Sequence, residues 1–287
     1  MEKIITLRIE KELGGLKTEH ILKKYLGLSE TLVRRLKRSE GSVLVNGKAT
    51  KVIERVKEGD ILKIIVSEKK AENIIPKDIP LDILYEDEDI LVVNKPRSMP
   101  VHPVRNHRED TLANGVINYL GACKFHVITR LDKDTSGVVL IAKNPVAAAF
   151  LTEEMKNKKI EKEYIAVVNG TPNPLSGKIN APIKKKEERG IMRCVSPDGK
   201  EAVSEYETLK TADGFSMVRL FPITGRTHQL RVHMSYIGNP ICGDRMYGAT
   251  DLCKTTLLHC RKISFIHPAT KEEIEVEAPT PNDIKRV

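Results

Sequence analysis

From the amino terminus, apolar residues first recur at helical spacing over two short stretches. Lys17 to Tyr25 is amphipathic and stops at Gly27, and the next stretch sets Leu32, Val33 and Leu36 against Arg34, Arg35, Lys37 and Arg38 on the other side. Ser29 stands where an N-cap belongs, because its side chain can accept from the free N–H groups of a first turn. The period then shortens. Val43-Leu44-Val45 runs into Asn46-Gly47, a strong hairpin signal, and Ile61 to Val66 follows Gly59-Asp60 as a second strand. Ser67 to Pro80 is charged and punctuated by proline, and is predicted to be a linker. The chain therefore divides into a unit over 1–70, a linker over 71–80 and a larger unit over 81–287.

The larger unit opens on another hairpin, with Ile83 to Tyr85, an acidic turn from Glu86 to Asp89, and Ile90 to Val93. A helix capped by Asp110 should run through Leu120 to Gly121, and a second should start at Asn144-Pro145 and carry Ala147, Phe150, Leu151 and Met155. Phe125 to Ile128, Val138 to Ile141, Tyr164 to Val168, Glu201 to Leu209 and Phe215 to Phe221 have the composition of strands. A last helix is expected after Thr227, with Leu230, Met234 and Ile237 as its apolar face. Interspersed strands and helices with hairpin-like joins predict an α+β fold: a mixed, largely antiparallel sheet with flanking helices, plus a small N-terminal α/β unit. Neither G-x-G-x-x-G nor a P-loop occurs, so no nucleotide cofactor is expected.

Composition narrows the class. The apolar fraction is 40%, enough for a core. No run approaches the roughly 18 apolar residues of a membrane span, and the charged start is unlike a signal peptide, so a cytoplasmic protein without membrane association is expected. Five cysteines, at 123, 194, 242, 253 and 260, form an odd set without C-x-x-C spacing and suit reduced thiols better than disulfides or zinc. The net charge of +9 is concentrated: residues 1–70 hold 17 Lys/Arg against 10 Asp/Glu, whereas the other 217 hold 31 against 29. A compact basic unit points to a polyanion, and its helix arginines and hairpin Lys48 suit phosphate contacts.

Two blocks could carry chemistry. Arg130-Leu131-Asp132-Lys133-Asp134-Thr135-Ser136-Gly137 crowds charges and hydroxyls into a turn between strand-like runs. Asp132, Asp134, Ser136 and Gly137 fit the opening of a calcium loop, but its twelfth position is Lys143, a cation where a bidentate acid is required. Asp132, Lys133, Asp134 and Thr135 also spell an aspartyl-phosphate motif, yet downstream acids such as Glu153 and Glu154 look like helix surface and not magnesium ligands. The third possibility is a lone catalytic aspartate held against an arginine and needing no metal. The second block, Thr224 to Met234, offers Arg226, His228, Arg231 and His233. His228 and Arg231 share a helix face, whereas His228 and His233 lie roughly 140° apart round the axis and are not a zinc pair.

Together the blocks resemble the RluA family of RNA pseudouridine synthases. Arg130-Leu131-Asp132-x-x-Thr135-Ser136-Gly137 is similar to its aspartate motif, Lys162-x-Tyr164 with Val167-Val168-x-Gly170 to its tyrosine motif, and Gly225 to His233 to its arginine motif. Lys95-Pro96, Val101-His102-Pro103 and Phe265-x-His267-Pro268 also fall where the family places them; Thr129 departs from a common histidine. Residues 12–67, including Leu28-Ser29, the Arg34/Arg35/Arg38 helix and Gly41 to Lys48, resemble the S-four type of RNA-binding domain, first described in a small-subunit ribosomal protein. The resemblance implies a cofactor-free isomerase that turns uridine in RNA into pseudouridine. Asp132, Tyr164 and Arg231 would be catalytic, with Asp132 buried beside Arg231 and Asp134, Thr135 and Ser136 holding the turn, and Arg130, Arg34, Arg35, Lys37, Arg38, Lys48, Arg226 and His228 would bind RNA. Architecture suggests large-subunit ribosomal RNA as substrate, with transfer RNA as the alternative. A monomer is expected. The alternatives from other classes are a non-catalytic RNA-binding or assembly factor and a magnesium-dependent phosphatase.

Overall fold

The computed structural model describes residues 2–67, 74–121, 124–187 and 190–285; part of the expected linker and Cys123 lie outside them. In the N-terminal unit β1 (Glu2–Arg8) precedes α1 (Thr18–His20), which continues as a π-turn (Ile21–Tyr25), then α2 (Glu30–Arg38), β2 (Val43–Val45), β3 (Lys48–Ala49) and β4 (Ile61–Ser67). The four strands pair in the order β1-β4-β2-β3. Ser29 caps α2, its Oγ accepting from Leu32 N at 3.3 Å. Asn46 and Gly47 both take positive φ, 52° and 78°, as a two-residue hairpin between right-twisted strands requires. Leu32, Val33 and Leu36 pack with Ile21, Leu22, Leu62 and Ile64 in one core, which leaves the basic side of α2 exposed. Burying each such side chain contributes about 1.5–3 kcal/mol. Lys3 reaches across to Asp89 of the larger unit at 2.8 Å.

The larger unit is built on β5 (Ile83–Glu86), β6 (Ile90–Lys95), α3 (Leu112–Leu120), β7 (His126–Val127), β8 (Ser136–Ala142), α4 (Pro145–Lys156), β9 (Glu161–Asn169) and β10 (Ser176–Asn180). It continues with β11 (Ile183–Lys185), β12 (Arg193–Val195), β13 (Val203–Ala212), β14 (Phe215–Pro222), α5 (Gln229–Tyr236), β15 (Leu258–Ile266), β16 (Glu273–Glu277) and α6 (Asn282–Lys285). One ten-stranded sheet runs β10-β13-β14-β9-β15-β8-β6-β5, with β16 on β15 and β7 on β8; β11 and β12 form a separate hairpin. Pairing is antiparallel except between β8 and β15 among the described residues. The fold is thus α+β with a mixed, largely antiparallel sheet, as expected.

Two expected caps move by one residue. Asp110 does not cap α3. Thr111 does, with its N–H and hydroxyl both donating to Asn114 Oδ1, while Asp110 pairs with His107 Nδ1 at 2.6 Å. Asn114 is fully buried and needs partners on every side, so its Nδ2 also donates to Ile75 and Arg108 carbonyls. Likewise the N-cap of α5 is His228, in the left-handed region at φ 58°, and not Thr227. Asn144 caps α4 as expected, its Oδ1 accepting from Val146 and Ala147 N at 3.0 Å.

Candidate active site

The Arg130–Gly137 turn leads into β8 and is held from three directions. Thr135 N donates to Asp132 O at 3.1 Å and closes it. Gly137, with φ 111°, lies against β15 so closely that a Cβ would stand 2.1 Å from Cys260 O, so only glycine fits there. Lys95, at the end of β6, is fully buried, and its Nζ donates to Pro96 O (2.7 Å), Met99 O (2.8 Å) and Lys133 O (3.0 Å). Burial lowers the ammonium to about 7, against the opposing fields of Asp134 and Asp132. Asp134 thus sits beside the lysine that ties the turn down. Thr129 is buried, with Oγ1 accepting from Leu140 N at 2.9 Å, so it braces the strand behind the turn.

Asp132 points into a cleft of about 420 Å³ together with Arg130, Tyr164, Arg226, His228 and Arg231. Its side chain is 28% exposed, so the expectation of a buried aspartate is corrected: the carboxylate stands in the mouth of the cleft. Arg231 comes to it from α5, Nη1 lying 3.5 Å from Asp132 Oδ2. The guanidinium is fixed from behind by Asp244, which accepts from Nε at 2.7 Å and from Nη2 at 2.8 Å and is itself 1% exposed. Tyr247 covers the same guanidinium, its ring centroid 5.0 Å from Cζ. His228 Nε2 lies 3.9 Å from the same Asp132 oxygen.

Tyr164, on β9, lies opposite Cys260 of β15 in the strand register. Burial first, and then Cys260, push its phenol well above the usual tyrosine range, so it is a protonated group at the cleft wall. Burial also lowers Lys162 beside it. His228 is lowered by burial, with Asp132 opposing, and presents an uncharged imidazole at neutral pH. His233, by contrast, belongs to the framework. Its Nε2 donates to Ala181 O at 3.0 Å and its Nδ1 accepts from Ser204 Oγ at 2.9 Å.

The remaining sequence-derived candidates fall into two groups. Arg130 and Arg226 are exposed around the cleft, with Arg226 Nε donating to Glu201 O at 2.8 Å. A second cleft of about 490 Å³ adjoins at Gly225–Thr227 and is lined by Lys184, Lys185, Arg193 and Lys200. Arg34, Arg35, Arg38 and Lys48 are exposed in the N-terminal unit and are not brought to the cleft, while Lys37 is engaged by Glu19 at 2.7 Å. Cys194, Cys242, Cys253 and Cys260 are free thiols. Among the described residues no group of three or more His, Cys, Asp or Glu side chains is arranged to hold a metal ion. Asp244 and Tyr247 were not anticipated from sequence. The one available signal was the turn-forming Gly243-Asp244 after Pro240, which marks a loop but not an arginine's partner.

Comparison with known proteins gives the class first: an RNA-modifying isomerase, since the family described as RNA pseudouridylate synthase matches residues 89–236 and so spans both blocks that build the cleft. The chain belongs to that family, in its RluA branch. It is 39% identical over 268 residues to an uncharacterised RNA pseudouridine synthase, YjbO, of Bacillus subtilis (strain 168), covering 91% of this chain and 95% of the relative. It is 34% identical over 265 residues to the ribosomal large subunit pseudouridine synthase D of Vibrio cholerae serotype O1, covering 85% and 82%. Among solved structures, human RNA pseudouridylate synthase domain containing 1 superposes with a TM-score of 0.62 at 28% identity, over 70% of this chain and 84% of that one. The protein is an RNA pseudouridine synthase.

Proposed function

We propose that this enzyme isomerises particular uridines of large-subunit ribosomal RNA and that Asp132 is its reacting group. One observation carries the assignment: the Asp132 carboxylate opens into the cleft 3.5 Å from an arginine that Asp244 fixes from behind. Isomerisation breaks the bond from uracil N1 to the sugar C1′, turns the base and joins C5 to C1′, with the C5 proton lost and N1 protonated. Asp132 serves either as nucleophile on C1′ or as base toward a sugar proton. Both routes need a carboxylate, and the Arg231 guanidinium faces it at 3.5 Å. Tyr164 would stack on the extruded uracil as a neutral phenol, and Arg130, Arg226 and His228 would hold the strand around the flipped nucleotide.

Large-subunit ribosomal RNA is favoured by relatives named for it, such as the Vibrio cholerae synthase, with transfer RNA as the competing substrate. We take residues 1–70 as an S-four-type RNA-binding domain, 71–80 as linker and 81–287 as the catalytic domain. The separate N-terminal core and the exposed Arg34, Arg35, Arg38 and Lys48 support that division. A ribosomal substrate also fits a cytoplasmic monomer. The test is tritium release from transcripts labelled at uridine C5. Wild type should release tritium with or without chelator. Asp132→Asn should release none while still retaining RNA on a filter, and full release by that variant would overturn the assignment.

A further inference from the structure

Between the cleft and the β11–β12 hairpin runs a short chain of hydrogen bonds. Arg193 N, on β12, donates to Tyr247 Oη at 3.0 Å, and Tyr247 Oη lies 2.7 Å from His228 Nδ1. Tyr247 is buried, and these are its phenol's two partners among the described residues. A phenol has one proton to give. With the Arg193 amide already donating to the oxygen, a His228 Nδ1–H pointing at the same oxygen would leave the phenolic proton buried and unpaired, which is costly. The bond must then run from Tyr247 O–H to an unprotonated Nδ1, and the imidazole proton belongs on Nε2, the nitrogen 3.9 Å from Asp132. The ring itself is held in this orientation: His228 is the N-cap of α5 at φ 58°, its ring stands edge-on to Tyr247 with centroids 5.7 Å apart, and Nδ1 faces the phenol while Nε2 faces Asp132.

We propose that Tyr247 is a positioning residue for the isomerisation: by donating its phenolic proton to His228 Nδ1, it fixes the imidazole tautomer so that an Nε2–H faces Asp132 and any nucleotide bound beside it. His228 thereby offers a donor in the cleft, and a lone pair there would repel the Asp132 carboxylate. The groups facing the imidazole are Asp132, Arg231, Asp244 and Arg193, and burial keeps it uncharged against the acids among them. The tyrosine itself remains protonated, raised chiefly by burial. The catalytic part of this inference rests on Asp132 being the reacting group; the tautomer does not.

The test uses full-length protein labelled with nitrogen-15 at histidine, with the His228 signals assigned from the spectrum of His228→Gln. Long-range proton–nitrogen correlations should show Nε2–H in the wild type. Tyr247→Phe keeps the ring over Arg231 but removes the donor. It should give a mixture of tautomers and a kcat about tenfold lower, with KM for RNA within about twofold. A wild-type Nδ1–H pattern overturns the inference, as does a Tyr247→Phe protein in which either the tautomer or kcat stays as in wild type. Should that variant fail to fold, the wild-type spectrum still decides. Full activity of Asp132→Asn would sink the assignment of Asp132 instead and leave the tautomer result standing.

Discussion

Replacing Asp244 by asparagine should expose how the cleft is held together. The side chain is 1% exposed and receives two hydrogen bonds from Arg231, which is itself 8% exposed, so the pair is buried and charge-assisted. Asparagine keeps the shape and one acceptor but removes the charge, leaving a buried guanidinium with Asp132 as its remaining carboxylate. Breaking a buried pair from one side costs about 3–5 kcal/mol, and the retained acceptor places this change near about 3 kcal/mol. In a chain of this size each kcal/mol moves the melting temperature by about 2–4 °C, so a fall of about 6–12 °C is expected. Arg231, released on one side, should also close on Asp132 and slow tritium release about 10–100-fold, the usual scale for a lost supporting partner. Combined with Arg231→Met, the two losses should not add, with a coupling of about 3 kcal/mol. A melting temperature within about 2 °C of wild type, or additive losses, would refute the idea that Asp244 fixes the arginine.

Two further outcomes follow from burial and charge. His259 is fully buried, and burial lowers its imidazole from the usual 6.5 to about 4. Between those values the unfolded chain takes a proton that the folded chain refuses. Stability is therefore intact above pH 6.5 and falls as pH drops toward 4, by about 3 kcal/mol in total. His259→Gln should show that much less acid sensitivity in urea midpoints, and equal acid sensitivity in both proteins would count against it. Reversing Arg34, Arg35 and Arg38 to glutamate should flatten the salt dependence of RNA binding by about 2–3 in log–log slope. All three are exposed, so the melting temperature should hold. An unchanged slope would remove the N-terminal helix from the RNA interface.

Elements with a local chemical signature were legible in the sequence. Asn46-Gly47, Ser29 and Asn144-Pro145 mark turns and caps because the constraint they satisfy lies within a few residues. β1 was missed although Ile4, Ile5 and Leu7 are apolar. It is an edge strand, Ile4 is 47% exposed, and its pairing with β4 depends on residues near 61–67. β10, β11, β12, β15 and β16 were missed too; β15 is set by neighbours from both halves of the larger unit. The cleft divides the same way. Asp132, Tyr164 and Arg231 stood out through their motifs, and the structure does bring them to one cleft. Asp244 and Tyr247 act through partners 13 and 19 residues away and leave no spacing signal. Thr227 was the better N-cap by residue type, but His228 takes that place.

The position of β15 has a consequence for synthesis. Ser136 and His259 are hydrogen-bonded at 2.9 Å although 123 residues separate them, and β15 sits in the sheet between β8, at whose head the Asp132 turn lies, and β9, which carries Tyr164. Both motif blocks, 130–137 and 224–234, precede β15 in the chain and are synthesised before it. Until residues 258–266 insert, the two walls of the cleft share no strand and have no fixed separation, because a non-local contact must await its distant partner. A nascent chain that lacks residues 258–266 therefore carries both motif blocks without an assembled cleft, and no tritium release is expected from it.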